Sequence, residues 1–149
     1  AALADWLAGR GLLAPGEAAT RGELLEAIGV REALRDLLAA QSGLEADVEA
    51  ATTALDAAAS RAKLSLHFAA GRAEVAPGAG GVRGAIGRIL VEVAAAMADG
   101  TWERMKACRA TDCRWAFLDE AKNRSRAWCS MQSCGNREKV RAYRERHAH

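Results

Sequence analysis

Four cysteines in the last third of the chain carry the strongest chemical signal: Cys108, Cys113, Cys129 and Cys134, spaced C-x4-C-x15-C-x4-C. Two close pairs joined by a spacer match what a tetrahedral metal site requires. Each short pair folds as a knuckle that aims two sulfurs at one point, and the spacer returns the second pair to it. Thiolates in a closed four-sulfur shell suit Zn²⁺, which does no redox chemistry. Four-residue gaps within the pairs are less usual than two-residue gaps. Two disulfides, free structural cysteines and an iron–sulfur cluster are therefore the alternatives, with disulfides disfavoured where no secretory signal precedes the domain. A four-thiolate shell leaves no open position for water, so no enzyme activity is expected.

The residues around the pairs outline a finger. Trp102, Met105 and Ala107 precede the first pair, and Trp115-Ala116-Phe117 reads as a strand leaving it. Asp119 to Arg126 is polar and basic and is expected to be an exposed loop. Trp128 is placed to shield the metal. Ser133 is expected to cap a final helix running from Cys134 to about His147, with Cys134 in its first turn, where the helix dipole favours a thiolate. A knuckle, a hairpin and a helix supplying the last ligand make a treble-clef-like arrangement.

Basic residues cluster in the same region. Arg137, Arg141 and Arg144 share one helical face at i, i+4, i+7, Lys139 projects from the far side, and Arg124 and Arg126 sit in the preceding loop. These six are the candidate nucleic-acid contacts, because guanidinium groups grip phosphate, or guanine, in two places. The competing reading is that they only offset the −2 charge of a Zn²⁺–four-thiolate centre, or are a solvated helix face. Val140, Tyr143 and His147 are expected to pack the helix on the hairpin. Asn136, at the helix start, is expected to brace the metal loop rather than read a base.

The elements that must hold this finger come from the first two thirds of the chain. The whole has 149 residues and a net charge of +2. That total hides a split: residues 1–100 carry −4 and residues 101–149 carry +6. Such asymmetry points to two modules with different partners, with the boundary expected between residues 101 and 102. Leu3, Trp6 and Leu7 make a short apolar face. Thr20 and Glu23 form a capping box ahead of Leu24, Leu25, Ile28, Ala33, Leu34, Leu37 and Leu38 at helical spacing. An Ala-rich helix over residues 45–60 is anchored by Val48 and Leu55. Leu64, Leu66 and Phe68 alternate with polar residues as in a half-buried strand, and Ala73 to Val75 returns beside it after a turn at Gly71. Pro77 to Gly84 reads as a loop, and its glycines lack the Gly-Lys-Ser/Thr ending of a phosphate cradle. Ile86, Ile89, Leu90, Val93 and Met97 then line one helix face. His67 reads as a surface residue. The expected class is α+β: a mostly helical N-terminal domain with a small β-hairpin, followed by the treble-clef-like finger.

No apolar stretch approaches the roughly 18–20 residues of a membrane span, and no signal pattern opens the chain. A cytoplasmic location is therefore expected, without membrane partners. The chain begins Ala1-Ala2-Leu3 with no initiator Met and reads as lacking an N-terminal piece of the fold.

The strings Phe117-Leu118-Asp119, Asn123-Arg124-Ser125-Arg126, Trp128-Cys129-Ser130-Met131 and Cys134-Gly135-Asn136-Arg137, with Cys108, Cys113 and Lys139, resemble the CGNR-type zinc finger of bacterial proteins over about residues 104–146. The preceding region is similar to the ABATE domain that accompanies this finger. The resemblance implies a zinc-binding, DNA-binding, stress-linked transcription regulator. Its acidic N-terminal domain is then expected to sense a small ligand or form a homodimer. A protein-interaction adaptor with a purely structural zinc module is the alternative.

Overall fold

The computed structural model describes residues 2–147. Its elements run α1 (Ala2–Ala8), α2 (Arg21–Gln41), α3 (Val48–Arg61), β1 (Leu64–Ala69), β2 (Arg72–Pro77) and α4 (Gly81–Ala98). A one-turn 3-10 helix (Thr101–Arg104), β3 (Met105–Ala107), β4 (Ala116–Leu118), a π turn (Met131–Gly135) and α5 (Asn136–Arg146) follow. The class is α+β. No helix among the described residues is long and apolar enough to cross a membrane.

The helices start where the sequence chemistry says they should. Thr20 accepts the Glu23 amide at 3.2 Å while the Glu23 carboxylate accepts the Thr20 amide at 2.9 Å, a complete capping box for α2. Asp47 caps α3 through the Ala50 amide. Leu7, Leu13, Val30, Ala58, Val82, Ile86 and Leu90 from α1 to α4 form the main core. Burying a leucine, valine or isoleucine side chain contributes about 1.5–3 kcal/mol, and Glu26 adds ion pairs to Arg61 and Arg83 across α2, α3 and α4. Gly87 of α4 is required by close approach: a Cβ there would lie 2.8 Å from the Pro77 Cβ and 2.9 Å from the Ala62 Cβ.

Some apolar residues lie outside this core. Val48 is exposed, so Ala51 and Ala58 rather than Val48 seat α3, with Leu55 packed at the margin. The hairpin is antiparallel with Leu64 opposite Pro77 and Leu66 opposite Val75, closing at Gly71 with φ +79°. It is not half-buried. Leu64 and Pro77 touch the helices at its base, but the ribbon then runs past the core and leaves Leu66 and Phe68 in solvent. The segment expected as a loop from Pro77 to Gly84 is mostly regular: β2 continues through Pro77, and α4 begins at Gly81. The link between them is held by the Gly78 and Ala79 amides donating to the carbonyls of Lys63 and Ala62. Met97 and Leu25 are likewise exposed.

A second, smaller core joins the C-terminal end of α2 to the finger. Leu38, Ala39 and Ala107 are buried there, with Leu44, Trp102, Met105 and Ala116 packed around them. Polar contacts frame it. Gln41 Nε2 donates to the carbonyls of Trp102 (2.7 Å) and Met105 (2.8 Å), and Arg114 pairs with Asp36 at 2.6 Å.

Candidate metal centre

The first knuckle grows from the short antiparallel pair β3–β4, in which Lys106 faces Phe117. The Cys108 amide donates to Trp115 O at 2.9 Å, the Cys113 amide donates to Ala110 O at 3.0 Å, and Arg114 at φ +49° reverses the chain. The second knuckle begins with Ser130, whose hydroxyl accepts the Ser133 amide. Ser130, not Ser133, is thus the cap, and the chain makes one π turn through Cys134 before α5 starts. The Asn136 side chain donates to Gln132 O at 3.3 Å and braces that turn, as expected. Arg109 N donates to Ala127 O at 3.0 Å, linking the two knuckles.

These turns bring the sulfurs of Cys108, Cys113, Cys129 and Cys134 within 4.8 Å of one another. Cys113–Cys129 is 3.7 Å and Cys129–Cys134 is 3.6 Å. Zn–S bonds of about 2.3 Å in a tetrahedron set neighbouring sulfurs about 3.8 Å apart, so the donor set fits that ion. None of the four forms a disulfide. Trp128 and Phe117 pack on the cluster. Gly135 makes room for that packing, since a Cβ would stand 2.6 Å from Met131 Sδ and 3.0 Å from Trp128 Cδ1.

Cys108, Cys129 and Cys134 differ electrostatically. Burial, then the neighbouring thiols of Cys134, Cys113 and Cys108, push Cys129 up to about 12. Burial also raises Cys134. At Cys108 burial opposes ionisation too, but backbone amides and the Cys129 and Cys134 thiols donate to its sulfur and together lower its pKa. Without metal, Cys108 is therefore easier to ionise than Cys129 and Cys134, which hold their protons. A metal must displace those protons.

Asp119 is a structural residue that sequence reasoning missed. Expected in an exposed loop, it is fully buried. Its carboxylate accepts from Lys106 Nζ at 2.6 Å and from the Ala121 and Arg126 amides at 3.0 Å. The Lys106 ammonium, with those amides, holds its pKa below the usual carboxylate range. Lys106 also donates to the carbonyls of Arg124 and Arg126. The pair thereby folds the loop that leads into Cys129. A single carboxylate closing an apolar strand, opposite a strand carrying one lysine, was the available signal.

The candidate basic residues separate into two groups. Arg137, Arg141 and Arg144 line one open groove of about 510 Å³ along α5, with Asn136, Gln132 and Ser133. Arg124 and Arg126 do not line it. Arg124 pairs with Glu103 at 2.8 Å, and Arg126 donates to Cys129 O and lies 5.1 Å over the Phe117 ring. Arg137 pairs with Asp112 at 2.9 Å and reaches Cys134 Sγ at 3.5 Å. Arg141 pairs with Glu138 at 2.5 Å and donates to Thr111 Oγ1 at 2.7 Å. Among the described residues no carboxylate pairs with Lys139, Arg144 or Arg146. The expected packing of Val140, Tyr143 and His147 on the hairpin is absent. No residue of α5 is buried, and Tyr143 stacks on His147 instead, with ring centroids 4.1 Å apart.

Comparison with known families agrees with this arrangement. Residues 1–103 match the model of ABATE, described as "Putative stress-induced transcription regulator". The chain belongs to the ABATE family. Residues 104–147 match the CGNR zinc finger, which takes in both knuckles and α5 of this ABATE protein. No curated protein matches the chain. The four-cysteine cluster of the ABATE chain lies wholly within the finger match.

Proposed function

We propose that the chain is a DNA-binding transcription regulator. Its finger holds one structural Zn²⁺ through Cys108, Cys113, Cys129 and Cys134, and α5 docks on the phosphate backbone. The observation that carries this reading is α5 itself. It buries no residue in its own chain, lines a groove with Arg137, Arg141 and Arg144, and begins two residues after Cys134. A helix that contributes nothing to a core yet is held by a metal knuckle is suited to meet a partner. Its three cations without a carboxylate partner among the described residues, Lys139, Arg144 and Arg146, make that partner polyanionic. The N-terminal helices are the regulatory half, joined to the finger through the α2 contacts.

Salt dependence of duplex DNA binding by the zinc-loaded chain tests this. About five phosphate contacts give a log K against log salt slope near −4 to −5, and about three give a slope near −3. No binding to duplex or single-stranded DNA at low salt overturns the reading. One observation favours a protein-interaction adaptor instead: Arg137 and Arg141 already have carboxylate partners within the chain. A cation pair held in this way presents little net charge to phosphate.

A further inference from the structure

A second groove lies where the helices meet the start of the finger. It is walled by β2, α4 and the 3-10 helix, and encloses about 740 Å³, within the roughly 300–1,000 Å³ of small-molecule sites. Its floor is apolar: Ile89 and Val93 of α4, Val75 of β2, and Trp102 and Met105 where the finger begins. Its charge is mixed but net acidic, two carboxylates against one guanidinium. Glu74 and Glu92 stand at the groove with no ion-pair partner among the described residues. The one lining cation, Arg88, is turned to the carbonyl of Leu12 and held there by a hydrogen bond. An aromatic and aliphatic floor beside two carboxylates, with the one guanidinium turned to the Leu12 carbonyl, suits a cation with a large apolar body.

We infer that this groove is a binding site for a lipophilic organic cation, a bulky ammonium or phosphonium compound or a polycyclic amine. Trp102 supplies a π face for the positive centre, while Glu74 and Glu92 supply opposite charge. The location gives binding a consequence. Trp102 and Met105 are the residues whose carbonyls Gln41 holds, and Met105 opens the strand that ends one residue before Cys108. This inference rests on reading the N-terminal helices as the sensing half. Its test uses no DNA, so failure of DNA binding and failure of the groove are separate results.

The test compares tetraphenylphosphonium with tetraphenylborate, ions of the same shape and opposite charge, by titration calorimetry on the zinc-loaded full chain. The expected result is saturable one-to-one binding of the cation, at least tenfold tighter than any anion binding at the same site. Glu74→Gln and Glu92→Gln, both on exposed side chains, are each expected to weaken the cation several-fold, as loss of a nearby opposite charge does at partial exposure. Ala96→Phe, which fills the groove, is expected to abolish binding. Unchanged cation affinity in the Glu74→Gln/Glu92→Gln double variant overturns the inference. So does undiminished binding in folded Ala96→Phe, or an anion that competes on equal terms.

Discussion

The carbonyl oxygen of Ser42 accepts two hydrogen bonds from the Arg109 guanidinium, at 3.0 Å from Nε and 2.7 Å from Nη2. The Ser42 hydroxyl accepts the Ala107 amide at 2.9 Å. One residue at the end of α2 thus grips both neighbours of Cys108, so the metal knuckle is fastened to the helical core at its first ligand.

Ser42→Ala removes the acceptor from a buried backbone amide. An unsatisfied buried donor costs about 1–3 kcal/mol, so denaturant unfolding of the zinc-loaded chain should show a loss in that range. The helical content should be unchanged. A loss below a few tenths of a kcal/mol would mean the seam carries no stability.

One zinc per chain is expected by elemental analysis. Structural zinc contributes about 10–16 kcal/mol in small fingers, as much as or more than the roughly 5–15 kcal/mol net stability of a domain. Chelation, or Cys134→Ser, should melt the finger while the α1–α4 core, which contains no finger residue, keeps its helical signal. Finding the cysteines oxidised in freshly prepared reduced-compartment protein, with no metal, would overturn the centre.

Zinc affinity should fall steeply with acid. Cys129, pushed up to about 12, and Cys134, raised in the same direction, are both protonated at neutral pH without metal and ionised with it. Binding therefore releases at least two protons, and raising the pH favours the bound form. Competition with a chromophoric chelator should show log K dropping by at least two for each pH unit lowered near neutrality. A drop of less than one would mean the thiols were already ionised.

Lys106→Met strands the buried Asp119 carboxylate, whereas Lys106→Met with Asp119→Asn removes the charge as well. A buried charge without its partner is worse than a neutral pair. The single variant should therefore melt at the lower temperature, and should bind zinc more weakly than the parent because the loop leading into Cys129 loses its tether. Equal melting temperatures would show that Asp119 is not held as a charge.

Lys139→Gln and Arg144→Gln should each weaken DNA binding alike on all sequences and make the salt slope shallower by about one. Arg126→Gln should act differently, lowering zinc affinity through the lost contact to Cys129 O. If Arg126→Gln changed only the salt slope, the division of the basic residues into two groups would fail.

Much of the finger was legible because its signals are local. Thiol spacing dictates the knuckles, and Thr20 with Glu23 dictates the start of α2. What the sequence concealed depends on tertiary distance. Leu66 and Phe68 alternate as a buried strand would, yet their ribbon extends past the helices that would cover it. Asp119 looked solvated because its neighbours in sequence are polar, while the partner that buries it, Lys106, lies on the facing strand. Tyr143 has the spacing of a packing residue, but among the described residues α5 has no layer that buries it.

The grip of Ser42 turns α2 into a ruler. The helix spans 21 residues, about 31 Å at 1.5 Å per residue. Its capping box fixes one end and Cys108's neighbours the other. Adding a single residue inside it would swing Ser42 through about 100° and advance it about 1.5 Å, pulling the acceptor off Ala107. Point changes along α2 can accumulate freely on its solvent face, but its length in residues is metered by a metal knuckle more than sixty positions downstream in the chain.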